Sequence, residues 1–256
     1  YYSPNNAIIA IVGNVNFDDV VKLMGRYFEH IPPSKIPPPP VTTAEPEQAG
    51  EKRVEVEFDS QPELVIAWHE TAGGAVDKEV FDIISYLLSR GRTSRLYKSL
   101  VEQKQLVTSI YASSDFGRMP SLFTISASPR APHTVSEVEQ AIYDEIAKLQ
   151  NEGATDRELT RVRNQLEAEY IRGMQSNMGM AFRLSSMQAL TGDWTYIMKL
   201  KELRSKVTSD DVKRVLAKYF TEKNRTIATI IKPKDSDAKP ATSNIQKMKP
   251  AQGVVK

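Results

Sequence analysis

At 256 residues, 40% of them hydrophobic and 26% charged, the chain has the composition of an ordinary globular protein with one large domain, or one domain and a piece of another. The net charge of +2 gives no support to nucleic acid or an anionic membrane as a partner, and the absence of cysteine excludes disulfides, thiolate metal sites and a cysteine nucleophile. No apolar run is long enough to cross a bilayer, and no signal peptide is visible, although residue 1 need not be the native start.

The first fifty residues predict a strand, a helix and a linker. Residues 1–13 open with turn-forming residues and become a short strand of buried character, and residues 17–29 have the spacing of an amphipathic helix. Residues 31–50 are rich in proline, which favours extended polyproline geometry and predicts a semi-rigid interdomain linker. A proline-rich recognition ligand is the alternative interpretation.

The middle of the chain predicts strands on either side of a helix. Residues 53–58 alternate apolar and charged side chains, as a half-buried strand does, and residues 63–69 form a more continuously apolar strand. Residues 78–89 predict a helix with its apolar side inward. A strand at residues 122–128 would pair with one at residues 106–113.

The segment from Ser89 to Ala112 joins these elements. It passes a break at Gly91, forms a short helix and continues as a strand rich in Val, Thr, Ile and Tyr. Four apolar residues of the short helix fall at helical spacing: Leu96, Tyr97, Leu100 and Val101.

The C-terminal half predicts helices followed by a closing strand. Capping boxes at Thr134 and Thr155 begin two helices, and the second could run to Thr191 unless Gly173 and Gly179 break it. Its methionines favour core filling, with a soft binding surface as the alternative. The remaining predicted elements are a short helix at 194–204, a helix capped by Ser209 that runs to Phe220, a strand at 225–231 and a flexible tail beyond Pro233.

An internal repeat predicts a second, related domain. Residues 1–11 read YYSPNNAIIAI and residues 219–229 read YFTEKNRTIAT, so that Tyr1 aligns with Tyr219. Each segment would be a helix end, a turn with Asn and a closing strand, which makes residue 1 the end of an earlier copy of the domain. Chance similarity between short segments is the alternative.

No catalytic motif is visible in the chain. None of the three histidines, His30, His69 and His133, lies in H-E-x-x-H or in the inverted H-x-x-E-H. His69 with Glu70 is the nearest approach to a site, but it has no second histidine at ligand spacing, which favours a core or edge histidine. The segment alone predicts no self-sufficient active site.

The ordered set of three segments nevertheless resembles a known family. The segments are YYSPNNAIIAIVGN at residue 1, LLSRGRTSRLYKSLV at residue 87 and AIYDEIAKLQNEGATDREL at residue 141. They are similar to the M16 family of zinc peptidases, the insulinase, pitrilysin and mitochondrial-processing-peptidase type, and specifically to the C-terminal half of a short bacterial member. The resemblance covers residues 1 to about 233.

The resemblance implies two homologous α+β domains that face each other like a clamshell. In the family the N-terminal domain holds zinc with the inverted H-x-x-E-H and a downstream glutamate, and the glutamate of the motif activates the metal-bound water. That region would lie upstream of Tyr1. No catalytic or metal-ligating residue is therefore expected in this chain, and zinc is expected only in the full-length protein.

In the family the C-terminal domain usually supplies an Arg and a Tyr, seven residues apart, that hold the substrate backbone. The matching segment here is LVEQKQLVT, residues 100–108, in which Val101 occupies the Arg position and Thr108 the Tyr position. This departure is similar to the two-subunit arrangement in which a partner carries the pair. It is equally compatible with a non-catalytic homologue. Residues that bind substrate stay undefined.

The expected fold is α+β, with a mostly antiparallel sheet and helices packed on one face. The expected domains are the end of a first M16-like domain at 1–30, a linker at 31–50, a second M16-like domain at 51–233 and a flexible tail at 234–256. We expect Arg92, Arg95 and Tyr97 to position the short helix and its strand against the peptide chamber. The alternative is that Tyr97 packs and the arginines pair with carboxylates.

The leading functional hypothesis is the inactive-type half of an M16-like zinc metalloendopeptidase subunit, which closes the peptide chamber and makes subunit contacts. Its alternatives are a non-catalytic M16-like scaffold and an unrelated α+β binding module. Expected partners are peptide substrates and a second M16-like subunit in a homo- or heterodimer, with no nucleic acid and no membrane span. The resemblance suggests a bacterial periplasmic location.

Overall fold

The structure, a computed structural model, describes residues 1–36, 38–39, 41–43 and 45–232. The predicted tail at 234–256 and three positions of the predicted linker lie outside the described residues. The strands are β1 (Lys52–Glu57), β2 (Glu63–His69), β3 (Val107–Ser114), β4 (Leu122–Pro129) and β5 (Arg225–Ile231). The helices are α1 (Phe17–Phe28), α2 (Lys78–Ser89), α3 (Val135–Glu152), α4 (Asp156–Met174), α5 (Asn177–Thr191), α6 (Tyr196–Lys206), α7 (Ser209–Tyr219) and a π-helix (Tyr97–Gln103).

The five strands form one mixed sheet in the order β1-β5-β2-β4-β3. Only the β1–β5 pair is parallel, and the other three pairs are antiparallel, including the predicted pairing of β3 with β4. Helices α2 and α3 contact the sheet, α7 packs against both of them, and α4 and α6 pack on α2 as a second layer. The predicted α+β fold with a mostly antiparallel sheet is confirmed.

Alternate residues of the central strands build the core on the helix-covered face. Leu64, Ile66 and Trp68 of β2 are all essentially inaccessible to solvent, as are the residues of β4 on the same face. Aromatic rings close one end of this core, where the Phe220 ring centroid lies 4.8 Å from that of Phe123 and 5.0 Å from that of Trp68.

The strand β1 departs from its prediction because it is exposed on both faces rather than half-buried. One face carries Arg53, whose guanidinium reaches Glu139 of α3 instead of packing in the core, with Nη2 2.7 Å from Oε1. The other face carries Val54 and Val56, which are about half exposed because no helix covers them. An edge strand of alternating charged and apolar residues therefore lies outside the core.

The strand predicted within residues 1–13 is not formed. A 3-10 turn at Pro4–Asn6 leads into extended chain that pairs with no described strand, and Ile8, Ile9 and Ile11 are exposed. The following helix α1 forms as predicted, but it too has no buried residue. An extended apolar segment needs strand neighbours to satisfy its backbone, and the described part of the chain provides none beside it.

The two turns of the predicted repeat have the same local structure. Asn6 Nδ2 donates to the Tyr1 carbonyl oxygen at 2.8 Å, and Asn224 Nδ2 donates to the Tyr219 carbonyl oxygen at 2.8 Å. Each asparagine also ends a short 3-10 helix that leads into extended chain. The sequence match between the two segments therefore corresponds to a conformational match.

The long helix predicted from Thr155 breaks between α4 and α5. Ser176 caps α5, since its Oγ accepts a hydrogen bond from the Gly179 N–H at 3.0 Å. A Cβ on Gly179 would lie 2.6 Å from the carbonyl oxygen of Gly173, so the corner closes only without one. The predicted core role of the methionines is wrong for α5, which has no buried residue and leaves Met178 79% exposed.

Reciprocal capping boxes begin three helices. The two predicted boxes, at Thr134 and Thr155, are present. The prediction that Ser209 caps α7 is wrong, because Thr208 is the cap and exchanges hydrogen bonds with Asp211. None of the helices in the described ranges combines the length and the apolar character needed to cross a bilayer.

Gly179→Ala should destabilise the domain by about 1–3 kcal/mol, because the new methyl group meets backbone rather than a flexible side chain. The gain in helix propensity of about 1 kcal/mol offsets only part of this cost. Urea unfolding of the variant measures the change. Gly50→Ala is the matched control, since nothing lies within 4 Å of the added Cβ. Equal stabilities of the two variants would show that the corner tolerates a side chain.

Candidate functional site

The joint between α2 and β3 has the predicted order of break, short helix and strand. Gly91 adopts φ +82°, a left-handed conformation that glycine accepts without strain, directly after α2 ends. The short helix is a π-helix rather than a regular α-helix. π-Helical turns occur frequently at functional sites, and this one leads through Gln105, with φ +53°, into β3.

Val101 and Thr108 lie at the two ends of this connection. Val101 is half-buried on the π-helix and packs against the core, whereas Thr108 is exposed on β3. The Thr108 hydroxyl donates to the carbonyl oxygen of Ser128 at 3.2 Å. Neither side chain offers the charged planar donor of an arginine or the phenol of a tyrosine. These two positions therefore supply no side-chain equivalent of the Arg/Tyr pair.

Arg95 has a structural contact of its own. Its Nε and Nη2 atoms bind Glu158 in a two-bond pair at 2.8 and 2.9 Å, and Nη2 also donates to the Gly153 carbonyl oxygen at 2.8 Å. Arg92 is exposed, and Tyr97 is half-buried at the start of the π-helix. The observed pairing of Arg95 with a carboxylate agrees with the alternative, structural interpretation of this residue.

The second face of the sheet is open, and one row of side chains from four strands crosses it, with the β2 residue half-buried and the other three exposed. Tyr111 of β3 lies opposite Ser126 of β4, which lies opposite Val65 of β2, which lies opposite Ala228 of β5. Tyr111 is 46% exposed, and Ser126 and Ala228 are also exposed. Small side chains in this row leave the backbone of the sheet accessible from one side.

Polarity changes across this open face. Near the β3 edge, hydroxyl groups pair across the strands, with Ser113 Oγ 2.8 Å from Thr124 Oγ1 and Ser109 Oγ donating to Ser128 Oγ at 3.1 Å. At the β1 edge the same face carries exposed valines instead. An extended peptide laid on the open face would meet hydrogen-bonding groups at one end and apolar groups at the other.

The histidines do not form a metal site. His69 ends β2, where its Nδ1 lies 3.2 Å from Asn224 Oδ1 and its Nε2 lies 3.5 Å from Glu45 Oε1. His133 Nδ1 lies 3.5 Å from Glu137 Oε2 at the start of α3. In the described ranges no three His, Cys, Asp or Glu side chains are arranged to hold a metal ion. Zinc chemistry therefore has no site in the part of the chain that the structure describes.

A buried charge cluster, which sequence reasoning missed, lies where β2, α2 and β3 meet. Lys78 is fully buried at the start of α2, with Nζ 2.9 Å from Asp82 Oδ1 and 3.5 Å from Glu70 Oε1. Its Nζ also donates to Ser114 Oγ. Glu70 accepts hydrogen bonds from Ser114 Oγ at 2.7 Å and from Ser121 Oγ at 2.9 Å. The Lys78 ammonium group is therefore the cation that pairs with both carboxylates.

Arg204 of α6 extends the cluster to the second helical layer. Its Nε lies 2.7 Å from Glu79 Oε2, and its Nη2 lies 3.0 Å from Asp82 Oδ2. Burial is the largest influence on Glu70 and Glu79 and raises the pKa of both carboxyl groups, while the neighbouring cations oppose the rise. The cluster therefore ties α2 and α6 to one end of the sheet at a cost in desolvation.

A sequence signal for this cluster existed. Lys78 and Asp82 are four residues apart on a helix that is otherwise apolar on its inner side, and Glu70 follows the most apolar strand. Charged residues in such positions need partners. Arg204, more than a hundred residues later, could be assigned as a partner only from the packing of α6 on α2.

Comparison with known proteins identifies the family. The family described as peptidase M16 inactive domain matches residues 1–166. The chain belongs to the peptidase M16 family. The predicted family and the predicted inactive-type domain are both confirmed.

Similar proteins include zinc proteases of bacteria. The chain is 25% identical over 244 residues to zinc protease PqqE of Helicobacter pylori, covering 91% of this chain and 53% of that protein. It is 24% identical over 248 residues to an uncharacterized zinc protease of Streptomyces coelicolor, covering 93% of this chain and 52% of the relative. The chain spans about half the length of the curated relatives it matches.

Solved structures show the same fold. A protease from Helicobacter pylori superposes with a TM-score of 0.81 at 22% identity, over 86% of this chain and 54% of that chain. A peptidase M16 inactive domain from Pseudomonas fluorescens superposes with a TM-score of 0.72 at 19% identity, over 86% of this chain and 52% of that chain.

Arg95→Ala should lower the melting temperature of the chain, because Arg95 bonds to Glu158 and to the Gly153 carbonyl oxygen. Loss of charge-assisted bonds of about 1.5–3 kcal/mol corresponds to a shift of roughly 3–12 °C. Burial raises the pKa of the Glu158 carboxyl group. The hydrogen bonds from Arg95 and Thr155 outweigh this effect and lower the pKa from 4.5 to about 2. This contribution is complete above pH 4.5 and is lost as the pH falls toward 2.

The melting-temperature difference between wild type and Arg95→Ala should therefore shrink in acid. Arg92→Ala, at an exposed position of the same joint, is the control and should change stability by less than about 0.5 kcal/mol. An unchanged melting temperature in Arg95→Ala would contradict the structural role of this residue.

Lys78→Met should cost about 3–5 kcal/mol in urea unfolding, because it leaves the buried Glu70 without its cation, whereas Asp82 keeps its pair with Arg204. The folded-state pKa of Glu70 lies above its usual 4.5, so the folded protein binds protons that the unfolded chain releases. Lowering the pH from neutral toward 4.5 should therefore restore part of the lost stability. Lys98→Met, at an exposed position, is the control; an equal effect of both substitutions would contradict the cluster's importance.

Proposed function

We propose that this chain is the C-terminal, inactive-type half of an M16-like zinc metalloendopeptidase subunit. Its role would be to close the peptide-binding chamber and to make subunit contacts. The observation that carries the proposal is the open sheet face, where three of the four side chains in the row from Tyr111 to Ala228 are exposed while the opposite face is covered by helices. A peptide chamber needs such an accessible wall with hydrogen-bonding groups.

The N-terminal segment supports the proposed division into two domains. Residues 1–13 reproduce the turn that precedes β5 but find no strand partner, and α1 exposes an apolar side that includes Phe17 and Val21. A preceding homologous domain would cover both. The exposed Met178 and Phe182 of α5 provide a further apolar surface for contact with that domain or with a second subunit.

Zinc would be bound by the preceding half of the protein. The described residues of this half contain no group that could hold the metal, and the carboxylates around Lys78 and Arg204 are already paired with these two cations. The contribution of this chain would therefore be to position the peptide and to exclude water. The relatives named zinc proteases support this assignment of the metal to the longer protein.

A non-catalytic M16-like scaffold is the second candidate function. Val101 and Thr108 favour it, because these side chains cannot clamp a peptide backbone with charge-assisted hydrogen bonds. The same substitutions are compatible with a peptidase whose partner subunit supplies the Arg/Tyr pair. The two candidates differ in zinc content and in the response to a partner.

The test is made on the full-length protein, by zinc analysis and by cleavage of a fluorogenic peptide library with and without candidate partner subunits. A two-subunit peptidase should contain stoichiometric zinc and should cleave only when a partner with the Arg/Tyr pair is added. Val101→Arg with Thr108→Tyr should restore part of the cleavage without a partner. A protein without zinc and without cleavage in every pairing is a scaffold, and the peptidase proposal is then wrong.

A further inference from the structure

A groove of about 980 Å³ runs along the outer side of α4 and is lined on its other side by the turn at Arg90 and Gly91. The lining residues of α4 extend from Asp156 to Arg172, which spans about 24 Å at 1.5 Å per residue. Since α4 packs on α2, the groove lies on the helical side of the domain and not on the open sheet face. It borders the proposed chamber wall at the β3 edge, where the Arg90 guanidinium carbon lies 5.6 Å from the centroid of the Tyr111 ring.

Four arginines give the groove its charge: Arg90, Arg157, Arg161 and Arg172. Within the described ranges none of them has a carboxylate oxygen within 4.0 Å. The groove also contains two carboxylates, Asp156 and Glu169, and Glu169 already accepts a hydrogen bond from the Tyr86 hydroxyl. The balance of four positive and two negative groups favours an anionic occupant.

Arg161 and Gln165, in the middle of the groove, have hydrogen-bonding atoms without partners. Arg161 Nη2 and Gln165 Oε1 are inaccessible to solvent and bond to nothing in the described structure, and Arg161 Nη1 has only a 3.4 Å contact with the Arg90 carbonyl oxygen. Burial lowers the pKa of the Arg161 guanidinium, against the opposing charge of Glu158. A buried donor and a buried acceptor that lack partners are costly until a ligand satisfies them.

We propose that this groove binds an extended acidic peptide segment of a partner protein. Carboxylate side chains would pair with the arginines, and the amides of Asn164 and Gln165 would hydrogen-bond to the peptide backbone. Arg157 and Arg161 are one helical turn apart, about 6 Å, which matches the spacing of about 6.6 Å between alternate residues of an extended chain. The lining offers no aromatic ring on which a nucleobase could stack, which disfavours nucleic acid.

The distances between the groove arginines determine the design of a test peptide. Arg172 lies about 16 Å beyond Arg161, or about five residues of extended peptide, so acidic residues at positions 1, 3 and 8 of a nonapeptide would reach the three arginines of α4 that line the groove. The 256-residue chain is titrated into this peptide, labelled with fluorescein and carrying Glu at the three positions, and anisotropy is measured at low salt. The same peptide with Gln at these positions is the neutral counterpart.

Arg161→Gln and Arg172→Gln should each weaken binding of the Glu peptide by about five- to tenfold. Arg118→Gln, which removes an exposed arginine outside the groove, is the charge-matched control and should change it less than about twofold. Because Arg172 is exposed, its substitution gives a result that does not depend on correct packing of the half-buried Arg161. A peptide shortened to its first five residues should bind more weakly and be indifferent to Arg172→Gln.

Three results would overturn the proposal. Equal binding of the Gln peptide would show that charge is not recognised, and equal effects of the groove and control variants would place the binding elsewhere. Groove-dependent binding of inorganic phosphate or of a single-stranded oligonucleotide, without binding of the Glu peptide, would assign the groove to a different ligand. None of these outcomes depends on zinc or on peptide cleavage, so the proposed chamber function is tested independently.

Discussion

The exposure of one face of the sheet is the constraint on which the rest of the structure depends. The core is built from alternate residues of β2 and β4 against α2, α3 and α7, while the other face carries small and hydroxylated side chains. A sheet with one bare face lowers its free energy less than a sheet covered on both faces, because apolar area is buried only once. Such a surface is therefore consistent with a wall that faces a cavity or a second domain.

The buried charge cluster around Lys78 holds one end of the sheet to the helical layers. It joins β2, α2 and β3 directly, and Arg204 carries the connection to α6. A buried ion pair contributes little net stability compared with apolar packing, but removal of one member is costly. Its contribution here would be conformational specificity, since α2 and α6 must pack in this arrangement for Arg204 to reach both Glu79 and Asp82.

Family membership accounts for the fold of the domain, whereas the proposal for the α4 groove depends on the chemistry of its side chains. Membership of the M16 family accounts for the fold and the inactive type of the domain. It does not account for the α4 groove, whose arginines have no carboxylate partners in the described ranges. The groove is therefore the part of this domain most directly open to an unrecognised partner, while the open face is the part that the family assignment explains.

Local patterns in the sequence were sufficient for the elements whose causes are local. Periodicity identified β2, α2 and the joint around Gly91, and capping chemistry identified α3 and α4, because these depend on residues a few positions apart. The repeat could also be recognised in the sequence, because each of the turns at Asn6 and Asn224 is closed by a hydrogen bond between residues five positions apart. The burial of a segment could not be predicted from its sequence pattern. Both β1 and residues 1–13 have strand-like patterns, yet they are exposed because no neighbour in the described structure covers them. Only the tertiary structure decided that, just as it alone brought Arg204 to Glu79 and placed Arg90 beside the three groove arginines of α4, since each of these depends on which surfaces meet in space.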